Sequence, residues 1–95
     1  MNLSDDSGRE RRRALMLRAL EDQLRSAETP EVQEQYDRLR GLGHTDAETR
    51  ELMARILAFY IWHTMRQDAY TYGDYVAELA RLPEIHWHDE DELAE

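Results

Sequence analysis

Cysteine is absent. That removes disulfides, thiolate nucleophiles and thiolate metal ligands, and it leaves the chain compatible with a reducing cytoplasm. Lysine is absent as well, since all twelve basic residues are arginines. A GC-rich genome explains that bias, and selection for bidentate arginine pairing would produce it too. No apolar run approaches the ~20 residues that span a bilayer. Met1 to Arg13 carries charges where a signal peptide would hold its apolar core, so a soluble cytoplasmic protein is expected.

What is present is a short acidic chain. Ninety-five residues make one domain at most, and a core of that size removes only roughly 60–70% of the unfolded surface from water. The formal net charge is -9, which argues against a general nucleic-acid binder, because affinity for phosphate backbones comes mainly from clustered Lys and Arg. The charge is unevenly spread. Pro83 to Glu95 holds six acids and no base, so residues 1–82 keep 15 acids against 12 bases, a balance of -3.

Periodicity and punctuation give an all-α, compact four-helix domain over residues 1–83, followed by an acidic tail, residues 84–95, too polar after Trp87 to pack and expected to be mobile. The first helix is expected from about Ser7 or Gly8 to Ala27, with Leu17, Leu20, Leu24 and Ala27 inward and fraying before Arg11. Thr29 reads as the N-cap of a second helix, with Pro30 at its first position. That helix runs from Pro30 to Arg40, turns Val32, Tyr36 and Leu39 to the core, and is closed by Gly41 and Gly43.

The central helix is expected over about 45–66. Thr45-Asp46-Ala47-Glu48 fits a capping box. At about 100° per residue, Glu48, Glu51, Arg55 and Arg66 share one narrow sector, while Leu52, Met53, Ile56, Leu57, Phe59, Tyr60 and Ile61 cover most of the remainder. A helix apolar over so much of its surface needs several neighbours. Thr71-Tyr72-Gly73-Asp74 is a second, weaker cap, opening a helix from Tyr72 to Leu82 with Tyr75, Val76, Leu79 and Leu82 inward and Pro83 at its end.

Four groups of residues are candidates for chemistry or contact. His63 falls in the apolar sector of the central helix, away from that helix's acids, and reads as a partly buried histidine bonded to a backbone or tyrosine group rather than a catalytic base. His86 and His88, followed by Asp89, Glu90 and Asp91, are weak metal candidates. Two imidazoles with nearby carboxylates chelate Zn, Ni or Cu weakly, but a structural site wants four placed ligands. Tyr60, Tyr70, Tyr72 and Tyr75 gather at the turn between the last two helices, close in sequence to Phe59 and Trp62, and read as core and interface. Trp62 alone of the aromatics falls among the charged residues, so its indole is covered by helix one, by the tail or by another subunit. Arg11, Arg12 and Arg13, with Arg9 and Arg18, spread around helix one and read as a solvated face.

The series Pro30-Glu31-Val32, Tyr36-Asp37-Arg38-Leu39, Gly43-His44-Thr45 with Glu48, the Ile56-Leu57 to Trp62 helix, then Tyr75-Val76 and Leu79 to Leu82-Pro83 resembles short helical bacterial proteins classed as domains of unknown function, over about residues 30–83. The resemblance implies a bacterial helical domain and no activity. Tyr60, His63 and the acidic tail depart from it, and it carries no functional residue.

The expectation is therefore a non-enzymatic interaction or dimerisation module without cofactor or metal. Its interface would be Phe59, Trp62, Tyr70 and Tyr72, its structural caps Thr29, Thr45, Glu48 and Thr71, and its partner a protein or a second copy, with no direct nucleic acid and no membrane. An acidic inhibitor or nucleic-acid mimic that occupies the basic groove of a DNA- or RNA-binding protein is the alternative. A metal-dependent or histidine-based enzyme comes third.

Overall fold

A computed structural model describes residues 3–84, with side chains from Gly8 onward. Four helices follow one another: α1, Leu3–Arg25; α2, Pro30–Gly41; α3, Asp46–Met65; and α4, Tyr72–Arg81. No strand occurs among the described residues, in agreement with the all-α reading. The acidic residues 85–95 lie outside the described residues, and the expectations placed on them are not addressed by the fold.

The ends of these helices follow local chemistry, with three corrections to the sequence reading. α1 begins at Leu3 and ends at Arg25, so it starts earlier than Ser7 and does not reach Ala27. The chain turns at Ser26, whose hydroxyl accepts from the Glu28 N–H at 3.0 Å. Thr29 occupies the N-cap position of α2 but makes no side-chain cap bond. Its hydroxyl instead donates to the Gln23 carbonyl at 2.9 Å, which also accepts from the Ser26 N–H at 3.1 Å, so it serves the end of α1 rather than a donor at the start of α2. Pro30 eases that choice, because it has no N–H to satisfy. At the far end of α2, Gly41 is still helical and Gly43 alone takes a left-handed conformation, φ +107°, which closes the helix through Gly43 N–H to Arg40 O at 3.0 Å.

Both remaining caps are complete capping boxes. In the first, Glu48 N–H donates to Thr45 Oγ1 at 3.1 Å and Thr45 N–H donates to Glu48 Oε1 at 3.0 Å. In the second, Asp74 N–H donates to Thr71 Oγ1 at 3.1 Å and Thr71 N–H donates to Asp74 Oδ2 at 2.9 Å. The shorter aspartate therefore closes the motif as well as glutamate does.

α3 packs against α1, α2 and α4, as its nearly all-round apolar surface requires. Its Met53, Ile56 and Leu57 are buried with Leu20 of α1, Val32 and Leu39 of α2, Tyr75 and Leu79 of α4, and Leu82 just beyond it. α4 returns antiparallel to α3 after a six-residue turn, residues 66–71, and the Tyr60 and Tyr75 rings stack at 4.7 Å. In that turn Gln67, at φ +63°, takes the left-handed conformation usually left to glycine.

Polar bonds set how the other helices lie. Tyr72 Oη donates to Glu31 Oε1 at 2.9 Å near the starts of α4 and α2, while Arg38 Nη2 donates to the Leu79 and Leu82 carbonyls at 3.1 and 2.8 Å near their ends. The two helices therefore run parallel, and a half-buried arginine satisfies the last carbonyls of α4. Tyr75 Oη reaches Gln23 Oε1 of α1 at 2.6 Å.

One further network joins α1, α2 and α3. Tyr36 Oη donates to Asp46 Oδ1, Arg40 Nη1 donates to Tyr36 Oη at 3.1 Å, and Arg50 bridges Asp46 at 2.9 Å and Glu21 at 2.6 Å. The Tyr36 hydroxyl, and after it the Arg50 guanidinium, hold the Asp46 carboxyl below the usual carboxylate range.

Two predictions follow from the packing. Leu79→Ala, which empties a fully buried position, is expected to cost about 2–5 kcal/mol in urea unfolding. Thr49→Val should leave stability equal or higher, because the buried Thr49 Oγ1 has no hydrogen-bond partner and removing an unpaired hydroxyl relieves a desolvation penalty. The lowered Asp46 pKa contributes stability that is present above the unfolded carboxylate value of about 3.9 and is lost as pH falls through the folded value. The gap between the urea midpoints of the native chain and Asp46→Asn is therefore expected to be open at neutral pH and to close on acidification.

Candidate functional site

The surface that needs a function lies on the outward side of α3. Arg55, Phe59, Trp62 and Arg66 follow one another at spacings of four, three and four residues, which places them in one row along a helix. The row begins beside the polar sector that carries Glu48 and Glu51, and both acids are engaged: Glu48 in its capping box and Glu51 with Arg13 Nε at 2.7 Å. Trp62 is 41% exposed and Met65, three residues on, is 77% exposed. An indole and a thioether side by side in water make an apolar patch that the core does not use.

Arg66 partly covers this patch. Its guanidinium carbon lies 4.7 Å from the centre of the Trp62 ring, a cation–π contact within the favourable range. Among the described residues its nearest carboxylate, Asp68 Oδ2, is 3.8 Å from Nε, longer than a charge-assisted hydrogen bond. The guanidinium therefore keeps donors for another acceptor.

His63 sits at the inner border of the row. Its Nδ1 lies 2.8 Å from Asp68 Oδ2, and its ring stacks on Tyr70 at 5.1 Å, contacts Phe59 at 4.3 Å and meets the edge of Trp62 at 5.0 Å. The sequence reading gave it a backbone or tyrosine partner. The hydrogen-bond partner is instead a carboxylate from the turn that follows α3, brought back because Asp68 N–H donates to the His63 carbonyl at 3.0 Å. Tyrosine contributes a ring face. Because a carboxylate only accepts, Nδ1 carries the proton in this contact.

The residues expected at an interface are partly gathered and partly dispersed. Phe59, Trp62 and Tyr70 share one cluster around His63, with Phe59 and Tyr70 half-buried. Tyr70 Oη is enclosed and has no hydrogen-bond partner. Tyr72 is turned elsewhere, onto Glu31 of α2 and the Tyr75 ring. Burial, with Glu78 and Asp74 nearby, pushes the Tyr70 phenol up to about 12. Burial and the bond to Glu31 push Tyr72 up to about 12, and Tyr75, the most deeply enclosed, is pushed up by burial first.

Other sequence candidates are placed as follows. Arg9, Arg11, Arg12 and Arg18 are exposed on α1, while Arg13 is drawn into the pair with Glu51. His86 and His88 lie outside the described residues. Among the described residues no group of three or more His, Asp and Glu is arranged to hold a metal ion, and no helix is long and apolar enough to cross a membrane.

Sequence reasoning missed the contact of Arg66 with Trp62, although their four-residue spacing is a readable signal for it. It also missed Asp68 as the partner of His63, for which the sequence carries no periodic signal, because the turn and not the helix brings them together. Comparison of the chain with protein-family models, with curated proteins and with solved structures finds no match.

Raised phenol pKa values stabilise the fold below the unfolded tyrosine value of about 10, and that contribution is lost as pH rises toward the folded values. A phenolate absorbance titration is expected to show Tyr70, Tyr72 and Tyr75 ionising later in the native chain than in urea, with the delay for Tyr72 reduced in Glu31→Gln.

Proposed function

We propose that this chain is a cytoplasmic, non-enzymatic protein–protein interaction module, and that its contact surface is the outward row of α3 from Arg55 to Arg66 with Met65 beside it. The observation that carries the reading is the position of Trp62. It is a large aromatic in a helix whose other large apolar side chains mostly serve the core, yet it stands 41% exposed next to an exposed methionine and under an incompletely paired arginine. Tryptophan and arginine are the residue types that most often dominate binding energy at interfaces, and methionine adapts to a partner's shape.

The chemistry of the histidine cluster supports the same reading. Nδ1 of His63 is committed to Asp68, and the groups packed around the imidazole are aromatic rings. These contacts hold the ring fixed along the border of the row, which suits a contact surface.

The acidic-mimic alternative draws less from the fold. A phosphate mimic needs an array of free carboxylates, whereas Glu48 and Asp74 are spent in caps, Glu31 on Tyr72, and Glu21, Asp46 and Glu51 on arginines.

Sedimentation at micromolar concentration tests the homodimer form of the proposal directly. The native chain is expected to sediment above the monomer mass and Trp62→Ala at the monomer mass, with the variant's urea midpoint close to that of the parent because Trp62 lies outside the core. A native chain that stays monomeric, and whose Trp62→Ala variant keeps every partner the parent binds, would remove the reading.

A further inference from the structure

A different helix carries a second exposed row. In α1, Leu20 is fully buried, and at about 100° per residue Arg11, Leu15, Arg18 and Asp22 fall within about 60° of one another on the opposite side of the helix. All four are exposed, Leu15 at 54%. Arg13, Glu21 and Arg25 of the same helix have ion-pair partners, whereas among the described residues Arg11, Arg18 and Asp22 have none.

The order of charges along this row is self-complementary. When a second α1 is laid antiparallel on the first, about a twofold axis between residues 16 and 17, Arg11 comes opposite Asp22 of the other copy and Leu15 opposite Arg18. Each pairing then occurs twice, as an isologous contact requires. The two Leu15 side chains lie on the same edge of the contact, only about 4.5 Å apart along the axis at the helical rise, and cover one another. Arg18 lies along the other edge, its stem against leucine and its guanidinium in water.

We propose that the outward row of α1, Arg11–Leu15–Arg18–Asp22, is a contact between two copies of this chain, packed antiparallel with Arg11 of each on Asp22 of the other. It is a surface separate from the row on α3 and goes beyond the reading given above.

The state of α1 itself favours such a neighbour. From Arg9 to Leu15 every side chain is exposed, so the core does little to hold this part of a 23-residue helix. A helical stretch that is polar nearly all round has little support of its own in water. A second copy of α1 supplies it along the side opposite the core. Each copy contributes one leucine and two halves of an exposed ion pair, and such pairs add little individually. The contact is therefore weak, with a dissociation constant of roughly 0.1–1 mM, and it forms well above the micromolar concentrations at which the α3 row is tested.

Charge exchange in the Trp62→Ala background, where the α3 row contributes nothing, tests the register. Translational diffusion by NMR is expected to slow as Trp62→Ala is concentrated to about 1 mM, with the amides of residues 11–22 shifting. Adding Arg11→Glu or Asp22→Arg sets like charges opposite one another and should weaken association by about tenfold or more. Both changes in one chain should restore it. A one-to-one mixture of the two single variants should restore it as well, because each chain then meets the opposite charge in the other at both ends of the row. Leu15→Asn should lose association without any change of charge. Circular dichroism and the urea midpoint should stay close to those of the parent in every variant, because all three positions lie outside the core.

A chain that stays monomeric at that concentration overturns the proposal, and so do single reversals that associate as well as their parent. A mixture that associates no better than its components shows that Arg11 does not face Asp22 and overturns it too. Shifts of residues 11–22 that need an added single-stranded oligonucleotide, in a chain that remains monomeric, assign the arginines to a polyanion and overturn it likewise. The α3 reading is decided by Trp62 at micromolar concentration and this one by Arg11 and Asp22 without Trp62, so either fails independently of the other.

Discussion

The constraint on which the rest of the structure depends is the need to cover α3. A helix that presents Met53, Ile56 and Leu57 on one side and Leu52, Phe59 and Tyr60 close by cannot stand with one neighbour, and here α1, α2 and α4 all pack on it. Helices this short are marginal alone in water, so burial against α3 is what holds α2 and α4 as helices at all. The nine fully enclosed apolar residues come from every helix and from Leu82 just after α4, and a single hydrophobic cluster therefore ties the described chain together.

Around that cluster the polar bonds decide arrangement. Arg38 on the carbonyls of Leu79 and Leu82, and Tyr72 on Glu31, align α4 with α2. Tyr36, Asp46, Arg50 and Glu21 close the junction of the first three helices. These groups are mostly at the surface, where ion pairs contribute little individually. Their value is directional: the apolar core favours coverage without selecting an angle, whereas a fork of guanidinium donors accepts only certain placements.

The outward row of α3 is a consequence of the same geometry. Three helices cover most of the circumference of α3, and the strip between them carries two arginines, a half-buried phenylalanine, an exposed tryptophan and a neighbouring exposed methionine. A helix with no contact to make would place charged and small polar residues there. The turn after α3 adds Asp68 and Tyr70 along one border, so the strip is bounded by a fixed histidine–carboxylate pair and not by loose side chains.

Much of this was legible in the sequence because the signals are local. Helix spacing, the Thr45 to Glu48 and Thr71 to Asp74 boxes, and the exposed position of Trp62 depend on residues within one or two turns of one another, and periodicity reports them directly. The start of α1, the hydroxyl of Thr29, the closing glycine of α2 and the partner of His63 were not legible as read. Thr29 turned to Gln23 because the tight turn after α1 brings the Gln23 carbonyl, six residues back, within reach of its hydroxyl. His63 met Asp68 because a turn with Gln67 in a left-handed conformation folds the chain back on the helix. By itself the sequence determined which faces are apolar and where α2, α3 and α4 begin, since those follow from neighbours along the chain. Tertiary structure decided which polar groups meet, because residues far apart in sequence become partners only after the core has brought the helices together.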